Sequence, residues 1–134
     1  MKQNARQMVL DAEQLFGEAE TLTSTGVIGS SINLKGGLGL GSGTIVLIIT
    51  ALDIATGDET YDIDIEVSTD NATWVKWGSI SDAEIQALTA GDGRVLKPFH
   101  NQGSEMYNYV RLNATLAGTT PSITLTAFLS ETMI

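Results

Sequence analysis

Three carboxylates alternate with apolar residues at positions 61–67 and are the first candidates for chemistry. Asp62, Asp64 and Glu66 occupy every second position, so a strand would place them on one face, roughly 6.5–7 Å apart. Oxygen ligands at this spacing could gather a calcium ion, and a carboxylate pair could serve glycoside hydrolysis. A solvated outer face, a basic partner or an ion pair with Lys76 would use the same residues, so these interpretations stay open.

Aromatic residues form a second group of candidates, comprising Trp74, Trp77, Tyr107 and Tyr109. Such rings could stack on sugars, as they do in carbohydrate-binding β-sandwiches. They also serve as core residues and as anchors of protein interfaces. A carbohydrate-binding module with Trp74, Trp77 and Tyr109 as its platform is therefore an alternative function for the chain.

Residues for covalent catalysis are scarce. The chain has one histidine, His100, and no cysteine, which excludes a thiolate metal site and a cysteine nucleophile. The sequence around His100, PFHNQG, provides no serine and orienting acid for a nucleophile–base pair. We therefore predict that the protein is not an enzyme and has no catalytic residues.

The glycine-rich segment 35–43, KGGLGLGSG, superficially suggests a phosphate-binding loop. A Walker loop would end in Gly-Lys-Ser/Thr, whereas Gly43 is followed by Thr44 and Ile45. Dinucleotide loops require a third glycine three residues after the second, and neither register provides it. Both motifs also precede a helix, while the residues that follow here are typical of a strand. The segment is predicted to be a surface loop.

Charge limits the classes of partner. The chain carries 16 acidic and 7 basic residues, for a formal net charge of −9. This excess disfavours binding to nucleic acid and to anionic membrane surfaces, and it is compatible with a basic protein partner. No apolar run approaches the roughly 18 residues of a membrane helix, and we recognise no secretion signal.

The hairpin predicted over residues 61–77 would position both candidate groups. Tyr61, Ile63, Ile65 and Val67 have the alternation of a strand with one buried face. A turn at Asp70-Asn71 and a second strand beginning near Trp74 would follow. The preceding segment, 44–54, is so apolar that both of its sides must be covered, which is the best indication of association that these patterns provide.

The remaining elements complete an all-β pattern. Ser81 and Glu84 form a capping box for a short helix, and strands are predicted over 27–34, 94–99, 105–116 and 122–129, the last two as a hairpin. About seven to eight strands separated by turns indicate a sandwich or jelly roll. The predicted fold is a jelly-roll-like antiparallel β-sandwich with one short helix and an N-terminal arm.

The predicted domain boundary falls after residue 26. Residues 1–26 are assigned to the arm and lead-in, and residues 27–134 to a single β-sandwich domain. A short helix before Gly17 fits the helical spacing of apolar residues in the arm. An ordinary first strand with a frayed end fits the β-favouring threonines, and both interpretations stay open.

Several segments together resemble a known family. They are TSTGVI, the glycine-rich loop, the apolar strand, STDNATW, the short helix and YVRLNATLAGTTPSITLTAFL. In this order they resemble the small capsid cement, or decoration, proteins of tailed bacteriophages. The resemblance covers roughly residues 20–130, and its most specific parts are residues 68–74 and 109–129.

The resemblance implies a structural virion protein on the outer surface of the capsid. Such a protein bridges neighbouring major capsid subunits, stabilises the shell, commonly forms a homo-oligomer (here a dimer or trimer) and has neither cofactor nor catalysis. Exposed apolar character suggests which residues would contact the capsid or another subunit. These residues are Met8, Val9, Leu10, Leu15, Phe16, Leu38, Leu40 and Tyr107.

Overall fold

A computed structural model describes residues 15–34, 42–87, 93–100 and 107–130 of the chain. These ranges contain nine strands and one short helix, and they are mostly β-structure, as the sequence predicts. In chain order the elements are β1 (Leu15–Leu22), β2 (Gly26–Val27), β3 (Ile32–Asn33), β4 (Ser42–Leu52), β5 (Thr60–Ser68), β6 (Val75–Ile80), α1 (Asp82–Ala87), β7 (Arg94–His100), β8 (Tyr109–Ala117) and β9 (Ile123–Ser130).

The strands form two antiparallel sheets with a jelly-roll-like order. The four-stranded sheet runs β1-β9-β4-β7, and the five-stranded sheet runs β2-β8-β5-β6 with β3 also paired to β8. The pairs β1–β9, β2–β8, β4–β7 and β5–β6 are nested, as in one long hairpin that is wound around a core. This winding confirms the predicted fold class.

One predicted strand pairing is wrong. The last two strands were expected to form a hairpin, but β8 lies in the five-stranded sheet and β9 in the four-stranded sheet. The chain crosses between the sheets after Gly118, whose φ of 110° suits a sharp change of direction. β9 then fills the gap between β1 and β4, where it buries one face completely.

β5 forms the centre of the core, as its alternation predicts. Tyr61, Ile63, Ile65 and Val67 are all buried, and β5 pairs along its whole length with β8. On β8 the inward residues also alternate and are buried, which confirms the period predicted for that segment. The apolar side chains of β4 and β9 close the core from the opposite sheet.

β4 is covered on both sides, which confirms the expectation from its unbroken apolar run. Ile45 and Leu47 belong to the core cluster between the sheets. Val46 alternates with them and therefore faces away from that core, yet it is also fully buried. Its register neighbours across the sheet are Phe128 on β9 and Leu96 on β7.

Part of the predicted arm is an integral strand. Residues 15–22 form β1 and pair with β9, with two irregularities in register, so the interpretation as an ordinary first strand holds for them. Phe16 is buried in the core. The sandwich therefore begins before the boundary predicted at residue 26, since β1 pairs with the side of β9 that faces away from β4.

The strand predicted over residues 27–34 consists of two short pieces, β2 and β3. Gly29 separates them in a left-handed conformation with φ 61°. A side chain at this position would meet the carbonyl oxygen of Phe16 at 1.8 Å, so only glycine fits. The backbone N–H of Ser30 donates to that carbonyl at 3.0 Å, and this bond ties the five-stranded sheet to β1.

Candidate interaction surfaces

The acidic row of β5 lies on the outer face of the five-stranded sheet, where each carboxylate has its own partner. Asp64 lies 3.5 Å from the ammonium of Lys76 on β6, and Glu66 accepts a 2.7 Å hydrogen bond from Nε of Arg111 on β8. Asp62 accepts a hydrogen bond from the backbone N–H of Asp82 at 3.0 Å. The three carboxylates therefore have separate partners on β6, β8 and α1 and do not share one.

This arrangement does not support the calcium interpretation. Within the described ranges, no group of three or more histidine, cysteine, aspartate or glutamate side chains could hold a metal ion. An ion pair between Lys76 and one member of the row was among the interpretations left open, and the member is Asp64. Its contribution to stability is small, because both groups of the pair are partly exposed.

Trp74 belongs to the same outer face. The guanidinium carbon of Arg111 lies 4.3 Å from the centroid of the Trp74 ring, which is the geometry of a cation–π contact. Arg111 thus joins Glu66 on one side and Trp74 on the other. Glu66, Arg111 and Trp74 therefore form one cluster on the outer face, in which the charge of Arg111 is paired with that of Glu66.

Trp77 lies elsewhere, at the edge of the sandwich. Ile65 is opposite Gly78 and Glu66 is opposite Lys76, so Trp77 is the extra residue of a β-bulge. Its ring packs against Phe99 of β7 with centroids 5.0 Å apart. Phe99 lies on the other sheet and belongs to the core cluster, so this contact closes the side of the sandwich where β6 and β7 are the edge strands.

The sugar platform predicted from the sequence is therefore not assembled. Trp74 contacts Arg111 on an outer face, whereas Trp77 contacts Phe99 between the sheets. Tyr109 is half-buried and shares the outer face of β8 with Arg111. The two tryptophans serve different surfaces of the molecule.

Three of the predicted interface residues, Leu15, Phe16 and Tyr107, belong to the described part of the chain. The prediction that Phe16 is an exposed interface residue is wrong, because its side chain is buried in the core. Leu15 is half-buried opposite Phe128 on the neighbouring strand, and Tyr107 is half-buried against the core cluster. Those outside the described residues are Met8, Val9, Leu10, Leu38 and Leu40.

His100 ends β7 in register with Ser42. The description of the structure does not extend to its side chain. The prediction that it has no catalytic role therefore stays a prediction.

Two turns at one end of the sandwich are joined by a network that the sequence patterns missed. The backbone N–H and the hydroxyl of Thr119 donate to the carboxylate of Asp58 at 3.1 and 2.6 Å. The hydroxyl of Thr56 lies against both Asp58 and Glu59. Glu59 also accepts a hydrogen bond from Thr120 at 3.3 Å.

These hydrogen bonds favour the ionised carboxylates. The Thr119 hydroxyl, aided by Thr56, lowers the pKa of Asp58 to about 2. The pKa of Glu59 is lowered as well, chiefly by the Thr56 hydroxyl. Because these donors hold turns 61 residues apart in sequence together, the cluster has a structural role.

Tyr61 is anchored close to the same end. Its hydroxyl donates to the backbone carbonyl of Asp53 at 2.5 Å and accepts from the backbone N–H of Ser122 at 2.9 Å. Burial raises the pKa of Tyr61. The phenol therefore stays neutral and joins the end of β4 to the start of β9.

Comparison with known proteins adds no assignment, since no protein-family model and no curated protein matches the chain. Across the described ranges, no helix has both the length and the apolar character that crossing a bilayer demands.

Some large apolar side chains of the described residues are exposed to solvent. They are Val27, Ile54, Val75, Trp77 and Leu96.

Proposed function

We propose that this chain is a capsid cement subunit, which binds the outer surface of a tailed-phage head and bridges major capsid subunits. The observation that carries the proposal is the meeting of the two segments on which the resemblance depends most. Ser68 is in register with Tyr109. The side-chain amide of Asn108 donates to the backbone carbonyl of Thr69 at 3.0 Å. Segments 68–74 and 109–129 thus begin at one corner of the fold.

The turn in the first of these segments is held by hydrogen bonds between side chains and backbone. Asp70 accepts hydrogen bonds from the backbone N–H groups of Ala72 and Thr73 at 2.9 and 2.8 Å. Asn71 takes the left-handed conformation, with φ 61°, and its side-chain oxygen accepts a 2.9 Å hydrogen bond from Ser31. A preformed turn costs little entropy on binding, which suits a protein that recognises a shell by surface complementarity.

The fold is compatible with this role but does not select it. Jelly rolls occur in viral capsid proteins and in lectins alike, and a fold does not by itself define a function. A cement subunit needs a stable block whose individual contacts are modest, because the many copies on a shell act together. The proposal includes no catalysis and no cofactor.

The proposal is tested by reconstitution. Purified protein is mixed with shells that lack it, the shells are pelleted, and the bound protein is measured against its concentration. Saturable binding at a fixed ratio to the capsid subunit, with a rise in the melting temperature of the shell, would support the proposal. No association at low or high salt would contradict it.

A carbohydrate-binding module remains the alternative function, although the geometry favours it less. Its platform would need Trp74 and Trp77 on one surface, whereas they contact Arg111 and Phe99 respectively. Glycan binding by the isolated protein that is lost in Trp74→Ala would support this alternative. Trp77→Ala is a poor test of it, because Trp77 also covers Phe99.

A further inference from the structure

One row of apolar side chains crosses the outer face of the four-stranded sheet. Leu15 on β1 is in register with Phe128 on β9. Phe128 is in turn opposite Val46 on β4, and Val46 is opposite Leu96 on β7. Residues that face each other across antiparallel strands lie on the same side of the sheet. Because the neighbours of Val46 in β4 belong to the core cluster, this row, which we call the outer row, points away from the core.

The two central members of the outer row are buried outside the core. Phe128 and Val46 are only 2% and 0% exposed. The core cluster contains every other buried apolar residue of the described ranges but neither of these two. Side chains stand roughly perpendicular to a sheet, so neighbours in the same sheet shield their sides and not their ends. A further layer of chain must therefore lie over Val46 and Phe128.

The described elements do not provide this layer. The described strands all belong to the two sheets, and the five-stranded sheet lies on the other side of β4, across the core. The helix α1 packs against β5 of the five-stranded sheet. The cover of the outer row therefore comes from residues outside the described ranges.

The pattern of exposure shows where the cover lies. At the β7 edge of the same face, Leu96 is 41% exposed and Pro98 is also exposed, whereas Leu15 at the β1 edge is half-buried. Along β4, Thr44 is 1% exposed, but Ile48, at the opposite end of this face, is only half-buried. The cover thus lies over β9 and β4, at the end of the sheet where the chain enters β1.

Residues 1–14 reach this place directly. They precede Leu15, which lies beside Phe128 in the sheet. Val46 is two strands away from β1, a distance of about 10 Å, whereas a segment of this length spans about 20 Å as a helix and about 45 Å when extended. Met8, Val9 and Leu10 provide three consecutive apolar side chains for the contact.

The internal segments outside the described ranges fit the cover less well. Residues 101–106 follow β7, whose outward residues are the exposed ones. Residues 88–92 precede β7 at the end of the sheet where burial is weaker. Residues 35–41 are rich in glycine and offer little apolar surface. The segment that follows Ser130 is distinguished from residues 1–14 by experiment.

We propose that residues 1–14 pack on the outer face of the four-stranded sheet and cover Val46 and Phe128 through Met8, Val9 and Leu10. Both covered residues are buried within a single chain, so the row needs neither a second copy nor a capsid subunit to cover it. The three apolar residues of the segment are then an internal cover, not the shell contacts that their apolar character suggests. The proposal does not depend on the proposed function.

A single introduced thiol tests the cover, because the chain has no cysteine. Val46→Cys is made in the full chain, and the rate of its reaction with a thiol reagent is measured in native buffer. Met8→Asp, Val9→Asp and Leu10→Asp are then added together, so that the result does not depend on which of the three faces the sheet. The rate at position 46 is expected to rise about tenfold or more, because carboxylates are not retained on an apolar face.

Matched controls come from the same segment and the same sheet. Gln3→Asp, Asn4→Asp and Gln7→Asp add the same charge to residues 1–14 and should leave the rate at position 46 unchanged. A thiol introduced as Leu47→Cys faces the core and should stay protected in every variant, which shows that the sandwich is folded. One introduced as Leu96→Cys should react rapidly throughout.

If the charged variant also exposes position 47, the milder combination Met8→Ala, Val9→Ala and Leu10→Ala decides the question by the same measurement. An unchanged rate at position 46 would overturn the proposal. So would a rate that rises on dilution of the otherwise unchanged Val46→Cys protein, since the cover would then belong to a second copy.

Two further outcomes separate this proposal from its alternatives. Release of position 46 by Met133→Asp and Ile134→Asp, without release by the substitutions at positions 8–10, would assign the cover to the segment after Ser130 and overturn the proposal. No shells enter the experiment, so release by the substitutions at positions 8–10 supports the cover even if the protein binds no shell. Shell binding by a protein whose position 46 is unprotected would support the capsid proposal and contradict this one.

Discussion

Trp77 covers Phe99 at the side of the sandwich where both sheets end. The ring centroids are 5.0 Å apart and the ring planes are tilted by 58°. Phe99 is fully buried, while Trp77 remains partly exposed. The bulge that displaces Trp77 from the regular ladder of β6 thus supplies a side chain that keeps water from the core at this edge.

Replacing Trp77 with alanine should reduce the free energy of unfolding by about 2 kcal/mol. The variant loses an aromatic pair and exposes Phe99, but the cost is below that of a fully buried ring because Trp77 is already partly exposed. Urea unfolding measures the change. Val75→Ala on the same strand is the control and should cost less than about 0.5 kcal/mol; equal losses would mean that Trp77 does not protect the core.

Removing the hydroxyl of Tyr61 should cost about 1–3 kcal/mol. In Tyr61→Phe the carbonyl of Asp53 loses its donor and the N–H of Ser122 loses its acceptor, and buried polar groups without partners are unfavourable. Tyr109→Phe, on the outer face of β8, is the matched control and should have little effect. A neutral Tyr61→Phe would show that water replaces the phenol at these backbone groups.

Stability should fall at acidic pH through a small set of carboxylates. Hydrogen bonds lower the pKa of Asp58 from 3.8 to about 2, and the pKa values of Glu59, Asp70 and Glu84 are also lowered. Because these groups bind protons less readily in the folded state, their stabilisation is complete above the unfolded pKa values. It is lost as the pH falls through the folded values.

The contribution of Asp58 can be separated by one substitution. Thr119→Val removes the hydroxyl that lowers the pKa of Asp58 most, so the free energy of unfolding should depend less steeply on pH between pH 4 and pH 2. Thr115→Val, at an exposed position of β8, should leave the profile unchanged. Superimposable profiles for Thr119→Val and the wild type would contradict the assigned role of this hydrogen bond.

Two glycines should respond in opposite ways to alanine. Gly118 has φ 110°, and a side chain there would lie 2.6 Å from the Cα of Glu59, so Gly118→Ala should cost about 2 kcal/mol or more. At Gly78 an added Cβ meets no heavy atom within 4 Å. Gly78→Ala should be neutral or stabilising by about 0.5 kcal/mol, because it restricts the unfolded chain. Thermal melts of the two variants provide the comparison.

Features that depend on neighbours in the sequence were predictable. The alternation of Tyr61 to Val67 predicted β5 and its buried face, because a strand turns successive side chains to opposite sides. Ser81 and Glu84 predicted the start of α1, and the backbone N–H of Ser81 does donate to Glu84 at 3.0 Å. The unbroken apolar run of β4 likewise predicted a strand covered on both sides.

Features that depend on distant residues were decided by the tertiary structure. β9 pairs with β1 and β4 rather than with β8, Phe16 lies in the core, and Trp74 and Trp77 serve different surfaces. Each outcome depends on contacts between residues that are far apart in the sequence, and local periodicity contains no information about such partners. The sequence by itself therefore determined the strands, their buried faces and the helix cap, whereas packing between sheets decided which side chains remain available for a partner.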